Sequence, residues 1–145
     1  MSYGTDDSRR LERSECLELL RSVPIGRIAY TDRALPAVEP VRFAVGDNHV
    51  IFRIEEGTAP ALAIQGAIVA FQADDVDGVT GDGWTVSIIG RAHAARDAAA
   101  STRPPRPTTL PPLDGTDVVY MRIPSQQISG HWIGSTAPRA NGNAA

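Results

Sequence analysis

The sequence predicts a small, mainly β protein whose antiparallel strands form a closed or split barrel behind a leading helix. The length of 145 residues suits one compact domain. After the first segment, short stretches of alternating apolar and polar residues follow one another at hairpin-like spacing. No strand–helix–strand unit recurs, so a doubly wound nucleotide-binding fold is not expected.

The leading helix is predicted over residues 11–23, because apolar residues recur there at helical spacing and charged residues occupy the other face. The apolar positions are Leu11, Cys16, Leu19, Leu20 and Val23. Pro24 and Gly26 end the helix. Residues 1–10 and 135–145 show no apolar period, so they are predicted to be disordered tails around one domain at 11–134.

A period of two then predicts six or seven strands. The strands are expected at 27–31, 37–45, 49–54, 67–73, 84–96, 118–123 and 127–133. A short helical turn is expected at 60–65, since Pro60 suits the first turn of a helix. Pro40 indicates that the second strand has an edge or a bulge. The proline-rich segment 101–112 is expected to be a stiff, polyproline-like loop.

Composition excludes several functions. The net charge of −3 gives no strong field toward nucleic acid or an anionic membrane. All 14 cations are arginines, so lysine Schiff-base chemistry is excluded. A single cysteine cannot form an intramolecular disulfide framework. With neither a long apolar run nor a signal-like N-terminus, we expect a cytoplasmic protein that binds neither nucleic acid nor membrane.

Common catalytic and metal-binding motifs are missing. The chain has no GxGxxG motif, no phosphate-binding loop ending in Gly-Lys and no GxSxG motif. Its three histidines lie far apart in sequence, so no metal site is expected. Cys16 is expected to be a buried thiol rather than a nucleophile. The acidic stretch 74–82 is expected to be a solvated hairpin loop rather than a calcium site.

The segment FRIEEGT, residues 52–58, can hold a phosphate. Arg53 offers a charged fork, Thr58 a hydroxyl, and the following helical turn its free N–H groups. The alternative is a surface arginine paired with Glu55 or Glu56.

Three further sequence features each allow two interpretations. The segment EPVRF, residues 39–43, offers main-chain groups that a flat heterocycle can pair with, or it is an ordinary edge strand. Trp84 either packs on a flat ring or caps the core. His131 either contacts a ligand or has no role.

Six segments together resemble the pyridoxamine 5′-phosphate oxidase-like family of FMN-binding split-barrel proteins. The likeness is greatest to its small actinobacterial branch of flavin-nucleotide-binding, nitroreductase-like proteins. The matching segments are Leu11–Tyr30, Leu35–Val45, Val50–Thr58 (VIFRIEEGT), Ile68–Asp77, Gly83–Ala92 (GWTVSIIGRA) and Met121–Gly130. They occur in the family's order and at nearly its spacing, and they cover most of residues 11–133.

The resemblance implies a six-stranded antiparallel Greek-key split β-barrel that forms a homodimer, with flavin sites at the subunit interface. It assigns the FMN phosphate to Arg53 and Thr58, and the isoalloxazine ring to the strand at residues 40–42 and to Trp84. The full set of expected cofactor-binding residues is Pro40, Val41, Arg42, Arg53, Ile54, Thr58 and Trp84. The expected function is FMN-dependent oxidation or reduction of a small substrate.

Three departures from the family pattern leave alternatives open. Ala59 stands where the family usually has a lysine after the hydroxyl residue, and Arg42 is a candidate replacement for that charge. Arg42 and Phe43 also replace the family's usual Asn and Tyr, and the proline-rich loop replaces a helix. No basic set for a second substrate phosphate is evident, so pyridoxamine-phosphate oxidation itself is not expected. The alternatives are a deazaflavin-dependent reductase and a non-catalytic module that binds flavin or haem.

Overall fold

The computed structural model describes residues 9–95 and 117–134, which contain two helices and eight strands. The elements are α1 (Arg13–Arg21), β1 (Ile25–Asp32), β2 (Leu35–Val45), β3 (His49–Glu55), α2 (Ala59–Ile64), β4 (Ile68–Val76), β5 (Gly83–Arg91), β6 (His93–Ala94), β7 (Val118–Pro124) and β8 (Gln127–Ile133). The predictions for residues 1–8, for 135–145 and for the proline-rich loop lie outside the described residues.

The strands form one antiparallel sheet in the order β6–β7–β3–β2–β1–β4–β5–β8. β5 and β6 lie near opposite ends of this order, yet only Ala92 separates them along the chain. The sheet must therefore curl until its ends approach, and β5 indeed contacts β7. The result is a half-barrel, which confirms the predicted mainly β, antiparallel architecture.

The described residues contain eight strands, so the prediction of six was wrong. The long strand expected at 84–96 is interrupted at Ala92, whose N–H donates to the Ala67 carbonyl while its carbonyl accepts from the Gly66 N–H. Before this point the chain pairs with β4, and after it with β7. The sequence pattern does not reveal the bend, because the buried residues Trp84, Val86, Ile88 and Ala92 all keep the same two-residue alternation.

Helix α1 covers one side of the barrel core, as predicted. Cys16 and Leu20 are fully buried on its inner face, and a reciprocal capping box between Glu12 and Glu15 fixes its start. A Cβ atom on Gly130 of β8 would lie 2.9 Å from the Cys16 sulfur, so only glycine allows this close approach. Burial raises the pKa of the Cys16 thiol, which agrees with a structural cysteine.

Neither helix in the described residues is long and apolar enough to cross a membrane.

Strands β2 and β3 separate after a short ladder, and this separation positions the candidate site. They are paired only from Phe43↔Phe52 to Val45↔Val50. Beyond Phe43, β2 stays paired with β1 and β3 stays paired with β7. A gap therefore opens between residues 40–42 and residues 53–55, where the barrel is split.

Candidate functional site

The gap between the two strands holds a cleft of about 280 Å³, which we call the split cleft. It is lined by residues 40–42 of β2, residues 53–55 of β3 and Ile25 of β1. All the cofactor-binding residues expected on β2 and β3 therefore lie around one opening. Sequence reasoning missed Ile25 and Glu55 as lining residues, because only the strand register places Ile25 opposite Arg42.

Arg53 is the buried charge of this cleft. Its side chain is only 8% exposed, and its Nη1 is buried without a hydrogen-bond partner among the described residues. The ion pair with Glu55 or Glu56, which was the alternative interpretation, is not formed. The ion pair found in the described part of the chain joins Arg27 and Asp74 instead. A buried guanidinium without an acceptor is unfavourable, so the cleft is chemically suited to an anion.

Arg42 faces Arg53 across the split. The last paired residues are Phe43 and Phe52, so the next position along each strand carries one of these arginines. Directly opposed residues of an antiparallel pair lie on the same face of the sheet, here the outer face of the barrel. Arg42 is exposed and lines the split cleft. Two guanidinium groups thus lie on the two sides of one opening.

The edge of β2 that faces the split is not covered by any strand within residues 9–95 and 117–134. Residues 40–42 pair with β1 on one side, but their ladder with β3 has already ended. Pro40 has no N–H group, so it interrupts the donors along this edge. The edge position predicted for Pro40 thus exists locally, although β2 lies inside the sheet. Main-chain groups here are available to a flat ligand with donor and acceptor edges.

Thr58 lies at the start of α2 and does not line the split cleft. Its Oγ1 accepts from the Ala61 N–H at 3.3 Å and donates to the Glu55 carbonyl at 2.7 Å. The hydroxyl has one proton, so it can donate to a phosphate only after releasing Glu55. The predicted helical turn is present as α2, with Pro60 in its first turn. The phosphate contact of Thr58 stays a prediction.

Trp84 and His131 also lie outside the split cleft. Trp84 is 5% exposed on the inner face of β5, within the main core and opposite Trp132 of β8. His131 is exposed on β8 and forms an isolated bridge with Arg10. Their functional roles stay predictions. In the described residues, no group of three or more His, Cys, Asp or Glu side chains could hold a metal ion.

Similarity to known proteins agrees with this architecture. A family model described as pyridoxamine 5′-phosphate oxidase matches residues 12–132. The chain is similar to the solved FAD binding protein from Mycobacterium smegmatis, with 34% identity and a TM-score of 0.73 over 88% of this chain and 98% of that one. It shares the fold of an FAD-binding protein from Mesorhizobium loti, with 22% identity and a TM-score of 0.63 over 88% of this chain and 97% of that one.

A curated relative, the uncharacterized protein Rv0080 of Mycobacterium tuberculosis, is 38% identical over 92 residues. That match covers 60% of this chain and 60% of the length of the relative. The family match, by contrast, spans α1 and reaches β8, so it covers the half-barrel and the split cleft together. The resemblance expected from the six sequence segments is therefore confirmed, and the chain belongs to the pyridoxamine 5′-phosphate oxidase family.

Proposed function

We propose that this protein binds a flavin nucleotide, FMN, in the split cleft and uses it to oxidise or reduce a small substrate. The observation that carries the proposal is the buried Nη1 of Arg53, which has no acceptor among the described residues and lines the cleft. The similar protein from Mycobacterium smegmatis is described as FAD binding, and FAD contains the riboflavin phosphate of FMN.

The residues around the cleft fit this ligand. Arg53 and Arg42 would hold the phosphate as a pair of charged forks, and Arg42 would supply the cation that is missing at Ala59. The uncovered main-chain groups at residues 40–42 would hydrogen-bond the edge of the ring. Glu55 lies exposed at the rim, where its charge disfavours the phosphate and so directs it toward the arginines.

The chemistry requires no catalytic acid or base from this chain. A bound flavin supplies hydride or electron transfer, and the protein supplies binding, orientation and electrostatics. Arg42 and Arg53 fix the anionic end of the ligand, and the strand at residues 40–42 fixes its orientation. The apolar surfaces of Ile25 and Ile54 reduce the access of water to the cleft.

We further propose that the protein is a homodimer in which the partner covers the split cleft. Four apolar residues are successive partners across four strands, and we call them the outer apolar row: Val38, Ala29, Ala70 and Ile89. Val38 is 61% exposed and Ile89 is 50% exposed. The row lies on the same outer face as Arg42 and Arg53, so a second copy bound to it would cover the opening of the split cleft.

Flavin titration tests the proposed function. The wild type is expected to bind FMN with micromolar or tighter affinity and riboflavin, which has no phosphate, more weakly. Arg53→Ala should weaken FMN binding at least tenfold and leave riboflavin binding unchanged, since one charged hydrogen-bonding group is lost. Arg33→Ala, at the exposed β1–β2 turn, is the matched control and should change nothing.

The proposal is overturned if the wild type binds no flavin, or if Arg53→Ala binds FMN as tightly as the wild type. Tighter binding of a deazaflavin than of FMN would instead select the deazaflavin-dependent alternative. If the protein binds FAD and does not bind FMN, the cofactor is the dinucleotide FAD rather than the mononucleotide FMN.

A further inference from the structure

A second and larger cleft, of about 480 Å³, adjoins the split cleft. We call it the helix cleft, because it lies between residues 20–24, at the end of α1 and after it, and residues 42–45 of β2. Arg42 lines both clefts, so they adjoin at this residue. The volume falls within the range typical of small-molecule sites.

The lining of the helix cleft is apolar with two cations. Among the residues that the structure describes, its polar lining residues are Arg21, Ser22 and Arg42, and none of the lining residues is acidic. Both arginines are exposed, and neither forms an ion pair within residues 9–95 and 117–134. Val23, Ala44 and Val45 are partly exposed and contribute apolar surface. This combination suits a ligand with an apolar body and a negative charge.

The last carbonyl groups of a helix carry partial negative charge, and at the end of α1 this charge is reduced by hydrogen bonds and by Arg21 in the last turn. The Leu19 carbonyl accepts from the Ser22 N–H at 3.0 Å and from the Ser22 Oγ at 2.6 Å. The Leu20 carbonyl accepts from the Val23 N–H at 3.4 Å. Glu18, the acidic residue of the second half of α1, lines a different groove with Leu19 and Trp132.

We propose that the helix cleft is the substrate site and that it selects organic anions, namely carboxylates on a flat apolar body. This assignment rests on the proposed function, because the helix cleft adjoins the proposed flavin site at Arg42. Arg21 binds the carboxylate, and the apolar wall of Val23, Ala44 and Val45 packs against the body of the substrate.

Benzoate and benzamide are the probes, since they share a shape and differ in charge. Isothermal titration of the full chain, with and without FMN, should show benzoate binding at least tenfold more tightly than benzamide. Arg21→Ala should weaken benzoate about tenfold, leave benzamide unchanged and leave FMN affinity unchanged. Ser22→Trp should block both probes by filling the cleft, and Arg33→Ala should alter neither.

The anion site is overturned if the two probes bind equally, if benzoate does not bind, or if Arg21→Ala binds benzoate like the wild type. With FMN bound, benzoate should also shift the flavin absorbance spectrum, and an unchanged spectrum overturns the substrate role. If benzoate binds and no flavin does, the proposed function and the substrate role both fail, whereas the anion site remains.

Discussion

Arg53 carries a buried charge, and the alternation of its strand explains why the side chain lies there. Its neighbours Phe52 and Ile54 are core residues on the inner face of β3. The alternation of a strand therefore directs Arg53 to the outer face, into the split cleft. Burial of an unpaired charge costs several kcal/mol in proteins, and an anionic ligand removes that cost. Stability and ligand binding are thus coupled at this one residue.

His49 gives the protein an acid-sensitive position. Burial, followed by the charge of Arg122, lowers the pKa of His49 below 6.5, and Asp47 opposes this effect. The unfolded chain therefore takes up the proton more readily than the folded one. The stability that His49 contributes is complete above pH 6.5 and is lost as pH falls from there through the folded-state pKa.

We therefore expect the melting temperature to be lower at pH 5.5 than at pH 7.5, and His49→Gln to reduce that difference. Differential scanning fluorimetry on both proteins measures it. An equal decrease in the two proteins would show that other groups cause the acid sensitivity.

At the scale of single elements, the β1–β2 hairpin contains backbone strain. Its turn residues Arg33 and Ala34 have φ values of 54° and 68°, a left-handed conformation that side chains with a Cβ atom disfavour. The turn is nonetheless right for a hairpin, since two left-handed residues match the twist of the flanking strands.

Ala34→Gly should therefore stabilise the fold by about 0.5–1 kcal/mol after the added entropy of the unfolded chain is counted. Urea unfolding measures the change. Gly81→Ala is the reciprocal control. Gly81 has a φ of 78° and open space around its Cβ position, so this substitution adds backbone strain without a steric clash and should lower the stability of the fold. A lower midpoint for Ala34→Gly would show that the turn is not strained.

The local elements were the predictable part of the fold. Helix α1 and the hairpin strands follow from apolar periods, and the β2–β3 side of the site follows because its residues are near neighbours in sequence. The bend at Ala92 depends on hydrogen bonds to residues 66 and 67, which no periodicity encodes. The helix cleft depends on packing between distant segments, so sequence alone did not locate it. Burial of Trp84 in the core was one of two interpretations that the sequence left open.

At the scale of the whole molecule, the outer apolar row predicts the assembly. Val38→Glu places a charge at the β2 end of the outer apolar row, within the proposed contact, so it should convert the dimer to a monomer and weaken FMN binding because the cleft loses its cover. Light scattering after size-exclusion chromatography gives the mass. Val79→Glu, at a 95% exposed site away from the row, is the control. A monomeric wild type would refute the dimer, and a dimeric Val38→Glu variant would refute the contact through the outer apolar row.

The order of strands has a consequence for synthesis of the chain. β3 and β5 gain their outer neighbours, β7 and β8, only from residues 118–133. Until those residues leave the ribosome, both strands present open edges that can pair with another nascent chain. Such distant pairing is also slow. Translation that stalls before residue 117 therefore produces a chain with two unpaired strand edges, which favours aggregation.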